Sequence, residues 1–193
     1  MNNEPLIVVL AGPNGAGKST VAPGLLHGAY AVDEFVNADT IAIGLSAFRP
    51  EAAAIAAGRV MLQRLDELAA ARRDFAFEST LAARSFAPWL RVQRSLGYRV
   101  HLAFLALPDP DAAVVRVADR VRRGGHDIPP EVVRRRYAAG LRNFHDLYRP
   151  LASSWQLYDN GQEDGPMLVA EQILGGPVVI LDPVAWSGLE ALR

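Results

Sequence analysis

Runs of apolar residues of strand length alternate along this chain with segments whose apolar residues recur every three or four positions. The first run, residues 6–11, is continuously apolar, which is typical of a central parallel strand buried on both faces. Residues 167–169 are expected to pair back onto the strand before them. Strands are predicted at residues 6–11, 34–37, 75–78, 98–107, 155–159, 167–169 and 178–181.

Helices are expected between these strands, and proline or glycine marks most of their ends. Asp109 is a good N-cap followed by Pro110, whereas Pro23-Gly24 should kink or shorten the first helix. Beyond residue 181 we expect only a short tail. Helices are predicted to begin near Lys18, Pro50, Ser85, Pro110 and Pro130, the last with Val133, Tyr137, Leu141, Phe144 and Tyr148 as its buried face. The alternation predicts a three-layer α/β fold, a mainly parallel sheet with helices on both faces.

The overall composition limits the classes of protein to consider. A length of 193 residues suits a single domain covering residues 1–193. The net charge of −1 gives no general attraction to nucleic acid or membranes, and the absence of Cys excludes disulfides and thiolate metal sites. The chain lacks a membrane-length apolar run, and its first residues lack the blocks of a signal peptide. We therefore expect a cytoplasmic protein whose only metal arrives with a nucleotide.

The loop after the first strand, residues 12–19, reads GPNGAGKS and matches the phosphate-binding pattern GxxxxGK[ST]. Lys18 is the only lysine among the 20 basic residues, and the others are arginines. An ammonium on a flexible stem reaches the outer phosphates of a nucleotide better than a rigid guanidinium does, while the Ser19 hydroxyl suits Mg²⁺. The expected cofactors are ATP and Mg²⁺. The expected nucleotide-binding residues are Gly12, Pro13, Asn14, Gly15, Ala16, Gly17, Lys18, Ser19 and Thr20.

Arginines are concentrated in residues 116–149, which hold nine of them against four acidic residues. Phosphoryl transfer depends on positioning and charge stabilisation, so small kinases combine a phosphate loop with a mobile, arginine-rich lid. We predict such a lid at about residues 116–136, hinged at Gly124-Gly125, with two or three arginines touching phosphate. A solvated basic helix face explains part of the cluster. A nucleic-acid surface is disfavoured because stacking aromatic residues are not interleaved.

Two carboxylates are predicted at the carboxyl edge of the sheet, where open α/β folds bind ligands. We interpret Asp39, after the second strand, as a catalytic base or an orienter of Mg²⁺-bound water, the alternative being an N-cap for residues 40–45. Glu78 ends an otherwise apolar strand, where an unpartnered carboxylate would be costly to bury. We interpret Glu78 and Thr80 as acceptor-binding residues, the alternative being a structural network with a lid arginine.

Other classes of phosphate-loop protein share parts of this pattern. Transporter-type ATPases carry the string GPNGAGKST, but they also need a Ser-Gly-Gly-Gln-like segment and an apolar strand ending in Asp-Glu. This chain has neither. A regulatory or nucleic-acid-associated ATPase without a small acceptor stays open as the alternative to a kinase.

Five segments together give a more specific pattern than the phosphate loop alone. GPNGAGKST, FVNADTIA, FAFESTLA, RVRRGGHDIPPEVVRRRY and LYDN resemble the zeta-toxin-like family of P-loop kinases, over about residues 6–160. The best-known members of that family phosphorylate a hydroxyl of UDP-N-acetylglucosamine with ATP, and some are toxins held silent by an antitoxin. The resemblance implies an ATP-dependent kinase acting on a small hydroxyl acceptor, with an antitoxin as a partner to consider.

The resemblance also assigns roles to individual residues. It implies that Asp39 is the general base and that Arg120 is a lid arginine of the transition state. At two positions where the toxin branch carries arginine, this chain has Ala82 and His126. His126 would act as the substitute at the acceptor, or Arg123 would take over the missing charge. The implied site is completed by Lys18 and Ser19 for the nucleotide and Mg²⁺, and by Glu78 and Thr80 for the acceptor.

Overall fold

A computed structural model of the chain describes residues 4–125, 127–162 and 164–192. The strands are β1 (Leu6–Ala11), β2 (Phe35–Val36), β3 (Phe75–Ser79), β4 (Arg99–Ala106), β5 (Ser154–Asp159), β6 (Met167–Gln172) and β7 (Val179–Ile180). The α-helices are α1 (Lys18–Pro23), α2 (Ala38–Leu45), α3 (Ala54–Ala70), α4 (Phe86–Ser95), α5 (Pro110–Arg122), α6 (Pro130–Asn143) and α7 (Pro183–Ala191). Short π-helical turns at Gly24–Tyr30 and Phe144–Tyr148, and 3-10 turns at Pro50–Ala53 and Arg149–Leu151, extend the helical segments.

The strands form one sheet in the order β2-β3-β1-β4-β5-β6-β7. The first five strands in this order are parallel, and β6 and β7 are antiparallel to their neighbours. Every residue from Ile7 to Ala11 is buried, so both faces of β1 are covered, as the continuous apolar run predicts. The predicted α/β class is confirmed: this is a P-loop NTPase fold with a mostly parallel sheet of seven strands.

Local sequence signals explain several helix ends. α1 stops at Pro23 and gives way to a π-helical turn, which confirms the predicted interruption. Asp109 caps α5 by accepting a 2.7 Å hydrogen bond from the backbone N–H of Ala112. The five core residues predicted for the helix that begins near Pro130 are all buried. In the structure this segment is α6, followed by the π-helical turn Phe144–Tyr148. In the described ranges no helix is both long and apolar enough to cross a bilayer.

The end of the chain differs from its prediction. Residues after 181 are not a plain tail, because α7 packs back on the sheet, with Leu189 buried and Trp186 stacked on Trp155 at a centroid distance of 6.2 Å. Asp182 caps this helix through 3.0 Å hydrogen bonds from two backbone N–H groups. The pair Asp182-Pro183 is the same helix-start signal as Asp109-Pro110. The apolar pattern that follows it is too short to predict a helix by itself.

Candidate active site

The phosphate loop follows β1 and has a shape that glycine alone allows. Gly12 adopts φ 142°, and a Cβ there would lie 2.2 Å from the carbonyl oxygen of Leu105. Gly17 adopts φ 78°, and a Cβ there would lie 2.9 Å from the side-chain nitrogen of Asn160. Side chains at these positions would therefore collide with β4 and with the loop after β5. The close contacts fix the loop against the carboxyl edge of the sheet.

Lys18 is buried at the base of this loop. Its Nζ donates hydrogen bonds of 2.9 Å to the carbonyl oxygens of Gly12 and Pro13 and lies 3.5 Å from Oε1 of Glu78. Burial lowers the pKa of Lys18, and the nearby carboxylate of Glu78 opposes that effect. The loop carbonyls and Glu78 thus hold the ammonium where phosphate oxygens would meet the loop.

Glu78 is the centre of a polar cluster on the sheet edge. In the sheet, Leu10 pairs with Glu78, so this carboxylate lies beside the strand that leads into the phosphate loop. Its Oε2 accepts a 2.8 Å hydrogen bond from the Ser19 hydroxyl and a 2.7 Å hydrogen bond from Nδ2 of Asn37. Its described partners are therefore Lys18, Ser19 and Asn37.

Asp39 occupies the first turn of α2 without capping that helix. Oδ1 of Asn37 caps α2 instead, accepting hydrogen bonds of 2.8 Å from the N–H of Asp39 and 3.3 Å from the N–H of Thr40. The prediction that Asp39 would be the N-cap, considered as its alternative role, is wrong. The Asp39 carboxylate is exposed and makes no hydrogen bond or ion pair with another described side chain.

Two cavities meet at Asp39. The first, which we call the phosphate cavity, has a volume of about 680 Å³ and is lined by the phosphate loop, Glu78 and the end of α5. The second, which we call the side cavity, has a volume of about 700 Å³ and lies between α2, residues 47–54 and the start of α6. The residues that line both cavities are Asp39, Gly124 and Gly125. The Asp39 side chain can therefore face a molecule in either cavity.

The arginines of the predicted lid lie in different surroundings. Arg116, Arg120 and Arg123 line the phosphate cavity. The side chain of Arg120 packs against Gly125, where a Cβ would lie 2.6 Å from Cγ of Arg120. Arg136 lines the side cavity, and its Nη1 donates to Oδ1 of Asn14 at 3.4 Å. Three lid arginines thus line the phosphate cavity, and the prediction that two or three of them touch phosphate stays a prediction.

Other members of the arginine cluster are occupied elsewhere. Arg134 forms a 2.8 Å ion pair with Asp111 on the exposed side of α5. Arg122 pairs with Asp119 one turn away on its own helix. Neither Arg134 nor Arg122 lines either cavity. These residues correspond to the solvated helix face that the sequence also predicts.

Thr80, a predicted acceptor-binding residue, lies apart from both cavities. Its Oγ1 accepts a 3.4 Å hydrogen bond from the N–H of Ala82, and it lines neither cavity. A Cβ on Gly140 would lie 2.4 Å from the carbonyl oxygen of Thr80, so α6 packs directly on this turn. His126, the third predicted acceptor residue beside Glu78 and Thr80, lies outside the described residues.

Two residues of the site were not assigned a role from the sequence. Asn37 connects the cap of α2 to Glu78, as described above. Asn160 is buried and donates a 2.8 Å hydrogen bond from Nδ2 to the carbonyl oxygen of Ala16, which braces the phosphate loop. Both belong to segments that carry the family resemblance, FVNADTIA and LYDN. Asn37 is the last residue of the predicted strand 34–37, and Asn160 directly follows the predicted strand 155–159. Position at the carboxyl end of a parallel strand is the signal that the sequence offers for both.

Comparison with known sequences identifies the family. A family model described as an AAA domain matches residues 7–147, which is most of the chain. An uncharacterized protein of Haemophilus influenzae is 29% identical over 130 residues, covering 67% of this chain and 91% of its own length.

Comparison with solved structures supports the fold. The complex of AvrRxo1-ORF1 with AvrRxo1-ORF2, solved with sulphate ions, is similar with a TM-score of 0.78 and 18% identity over 98% of this chain. This chain spans 65% of the length of the chain that it matches there. The same complex has been solved with ATP. The PezAT toxin-antitoxin system of Streptococcus pneumoniae is similar with a TM-score of 0.65 and 15% identity, covering 98% of this chain and 86% of that one. The resemblance to zeta-toxin-like P-loop proteins is thus confirmed at the level of the fold.

Proposed function

Because the chain belongs to the AAA domain family of P-loop proteins, we propose that it is a kinase that transfers the γ-phosphoryl group of ATP to a hydroxyl of a small acceptor. One observation carries the proposal: Asp39 lines both the phosphate cavity and the side cavity. A regulatory ATPase needs the first cavity only. A kinase needs a second space beside the phosphates, with a carboxylate at the junction that can orient the incoming hydroxyl.

The phosphate loop and Lys18 are the donor side of the proposed reaction. Loop N–H groups would bind the phosphate oxygens, and the Lys18 ammonium would stabilise charge on the outer phosphates. Lys18 Nζ is held within the loop, 2.9 Å from two loop carbonyl oxygens, and would turn toward the outer phosphates when the nucleotide binds. Asn160 supports this geometry by holding the carbonyl group of Ala16.

The residues at the loop fit a magnesium ion bound with the nucleotide. Mg²⁺ prefers oxygen ligands, and the Ser19 hydroxyl lies 2.8 Å from Oε2 of Glu78, with Asp39 on the same cavity wall. Ser19 would hold the ion directly, and Glu78 would orient its water. When bound, Mg²⁺ supplies charge neutralisation for the phosphates. Among the described residues no group of three His, Asp or Glu side chains could hold a metal on its own.

Asp39 and the lid arginines are the residues proposed to act in the transfer itself. The Asp39 carboxylate would accept the proton of the acceptor hydroxyl as its oxygen bonds to the γ-phosphorus and the bond to the ADP oxygen breaks. Arg120 and Arg123, together with Arg116, would stabilise the charge that develops on the transferred group. Gly124 and Gly125 would act as the hinge about which the lid closes.

The acceptor and partners are suggested by similar proteins. The zeta-toxin-like resemblance makes UDP-N-acetylglucosamine the first acceptor to test. The AvrRxo1 structure is a complex of ORF1 with ORF2. The PezAT structure belongs to a toxin-antitoxin system. We therefore include a proteinaceous antitoxin among the proposed partners of this chain.

Phosphorus NMR on the protein with ATP, Mg²⁺ and a panel of hydroxyl acceptors tests the proposal. The panel contains UDP-N-acetylglucosamine, nucleosides, simple sugars and RNA ends. A new phosphate ester signal with matching loss of the γ-phosphate of ATP supports a kinase. Release of inorganic phosphate alone, at the same rate with every acceptor, would instead support the regulatory ATPase.

A further inference from the structure

We propose that the acceptor is a neutral or cationic hydroxyl compound with an apolar part, and that Glu51 and Asp127 of the side cavity select against phosphorylated acceptors. The proposal rests on the kinase function above and narrows its substrate class. It runs against UDP-N-acetylglucosamine as the preferred acceptor, because that molecule carries a diphosphate.

The two cavities differ in the charges of their described walls. The phosphate cavity contains the cationic side chains of Lys18, Arg116, Arg120 and Arg123 together with the carboxylates of Asp39, Glu78 and Asp119. The side cavity contains the carboxylates of Asp39, Glu51 and Asp127, and its only described cationic side chain is Arg136. A bound phosphate would face several cations in the phosphate cavity and mainly carboxylates in the side cavity.

Arg136 is turned toward the donor side. Its Nη1 lies 3.4 Å from Oδ1 of Asn14 in the phosphate loop. Its guanidinium therefore lies at the border between the side cavity and the proposed nucleotide site. By contrast, Glu51 and Asp127 are exposed and make no ion pair with any described residue. The carboxylates are therefore not neutralised by their described surroundings, and like charge would oppose an anionic ligand.

The rest of the side cavity wall is apolar. Phe48, Ile43 and Ile128 all line this cavity; Phe48 is 99% exposed, Ile43 is also exposed and Ile128 is buried. Large apolar side chains that line a cleft of about 700 Å³ are typical of a small-molecule site. An aromatic ring such as that of Phe48 also attracts an ammonium group over its face. Apolar walls with free carboxylates and an aromatic ring fit an amine-bearing hydroxyl compound.

Binding of three matched nucleosides tests this charge preference. We would measure calorimetric affinities of 5′-amino-5′-deoxyuridine, uridine and uridine 5′-monophosphate for the full chain with Mg²⁺ and a non-hydrolysable ATP analogue filling the donor site. The three share a base and the 2′ and 3′ hydroxyls and differ in charge at one position. We expect the amine to bind most tightly and the monophosphate most weakly, by about tenfold or more between them.

Neutralising the carboxylates should remove the preference. The double variant Glu51→Gln with Asp127→Asn keeps the shape of the wall, so the gap between amine and monophosphate should shrink by about tenfold. The control is Asp164→Asn, an exposed carboxylate that lines neither cavity, and it should keep the wild-type order. Equal affinities in the wild type, no binding of the amine, or an order unchanged in the double variant would each overturn the proposal.

The charge preference and the kinase function can fail separately. A phosphate ester formed more readily on a phosphorylated acceptor than on an amine would keep the kinase and overturn the charge preference. Tight, carboxylate-dependent binding of the amine with release of inorganic phosphate alone would support the preference and count against the kinase.

Discussion

Oδ1 of Asn37 accepts a 2.8 Å hydrogen bond from the backbone N–H of Asp39. The cap of α2 is thereby provided by the residue two positions earlier, and the Asp39 carboxylate has no capping bond to maintain. The same asparagine donates from Nδ2 to Glu78 at 2.7 Å. One side chain thus fixes the helix that carries the proposed base and the carboxylate beside the phosphate loop.

Replacing Asn37 with alanine should affect both stability and turnover. The loss of the cap should lower the free energy of unfolding by about 1 kcal/mol. The loss of the Nδ2 donor should leave Glu78 less well positioned and reduce the turnover number. Asn37→Ser is the matched variant, because serine caps well but is too short to replace the bond to Glu78. Recovery of stability without recovery of turnover is expected from urea unfolding and kinase assays, and recovery of both would exclude a role for the Glu78 bond.

Replacing Lys18 with alanine should abolish stabilisation by the nucleotide. Ligand that binds only the folded state raises the melting temperature, so wild-type protein should melt higher with ATP and Mg²⁺. Lys18→Ala removes the ammonium at the base of the loop and should lose this shift. Arg134→Ala is the control, because Arg134 pairs with Asp111 and lines neither cavity. Differential scanning fluorimetry gives the answer, and an unchanged shift in Lys18→Ala would refute the nucleotide assignment.

His101 should make folding sensitive to acid. This side chain is buried between Tyr30 and Ser154, with hydrogen bonds of 2.6 and 2.8 Å, and burial lowers the pKa of His101 to about 4 from 6.5. The unfolded chain takes up the proton first as the pH falls, so the stability present above pH 6.5 is lost down to about pH 4. The expected loss is about 3 kcal/mol.

A variant of His101 isolates this contribution. His101→Gln cannot be protonated and should show a shallower loss of unfolding free energy between pH 6.5 and 4. Val184→Ala changes an exposed side chain that cannot titrate and should retain the wild-type slope. Urea denaturation at several pH values measures both slopes. If the His101 variant kept the full wild-type slope, its burial would not be the source of the acid sensitivity.

Features with a local cause could be predicted from the sequence. The continuous apolar run of β1 and the glycines after it define the phosphate loop within a few residues, and Asp109 and Pro110 define the start of α5. These signals lie within one turn or strand of what they determine. The Asp182-Pro183 start of α7 has the same form, and it was missed because the apolar pattern behind it is short.

Features with a distant cause could not be predicted in this way. Asn160 reaches Ala16 across 144 positions, and Asn37 reaches Glu78 across 41. The side cavity combines Glu51 with Asp127, whose separation in sequence gives no hint that they face one volume. Such contacts follow from the order of strands in the sheet, which periodicity does not encode. The sequence therefore indicated the donor side in more detail than the acceptor side.

The central claim is that Asp39 acts on a hydroxyl held beside the phosphates. Asp39→Asn keeps the size of the side chain and removes its ability to accept a proton. The most direct measurement is phosphorus NMR of ester formation by this variant and the wild type, beside their melting shifts with ATP and Mg²⁺. The account predicts unchanged ATP-dependent stabilisation and a turnover number lower by about 10² to 10⁴. Equal rates of ester formation by the two proteins would contradict it.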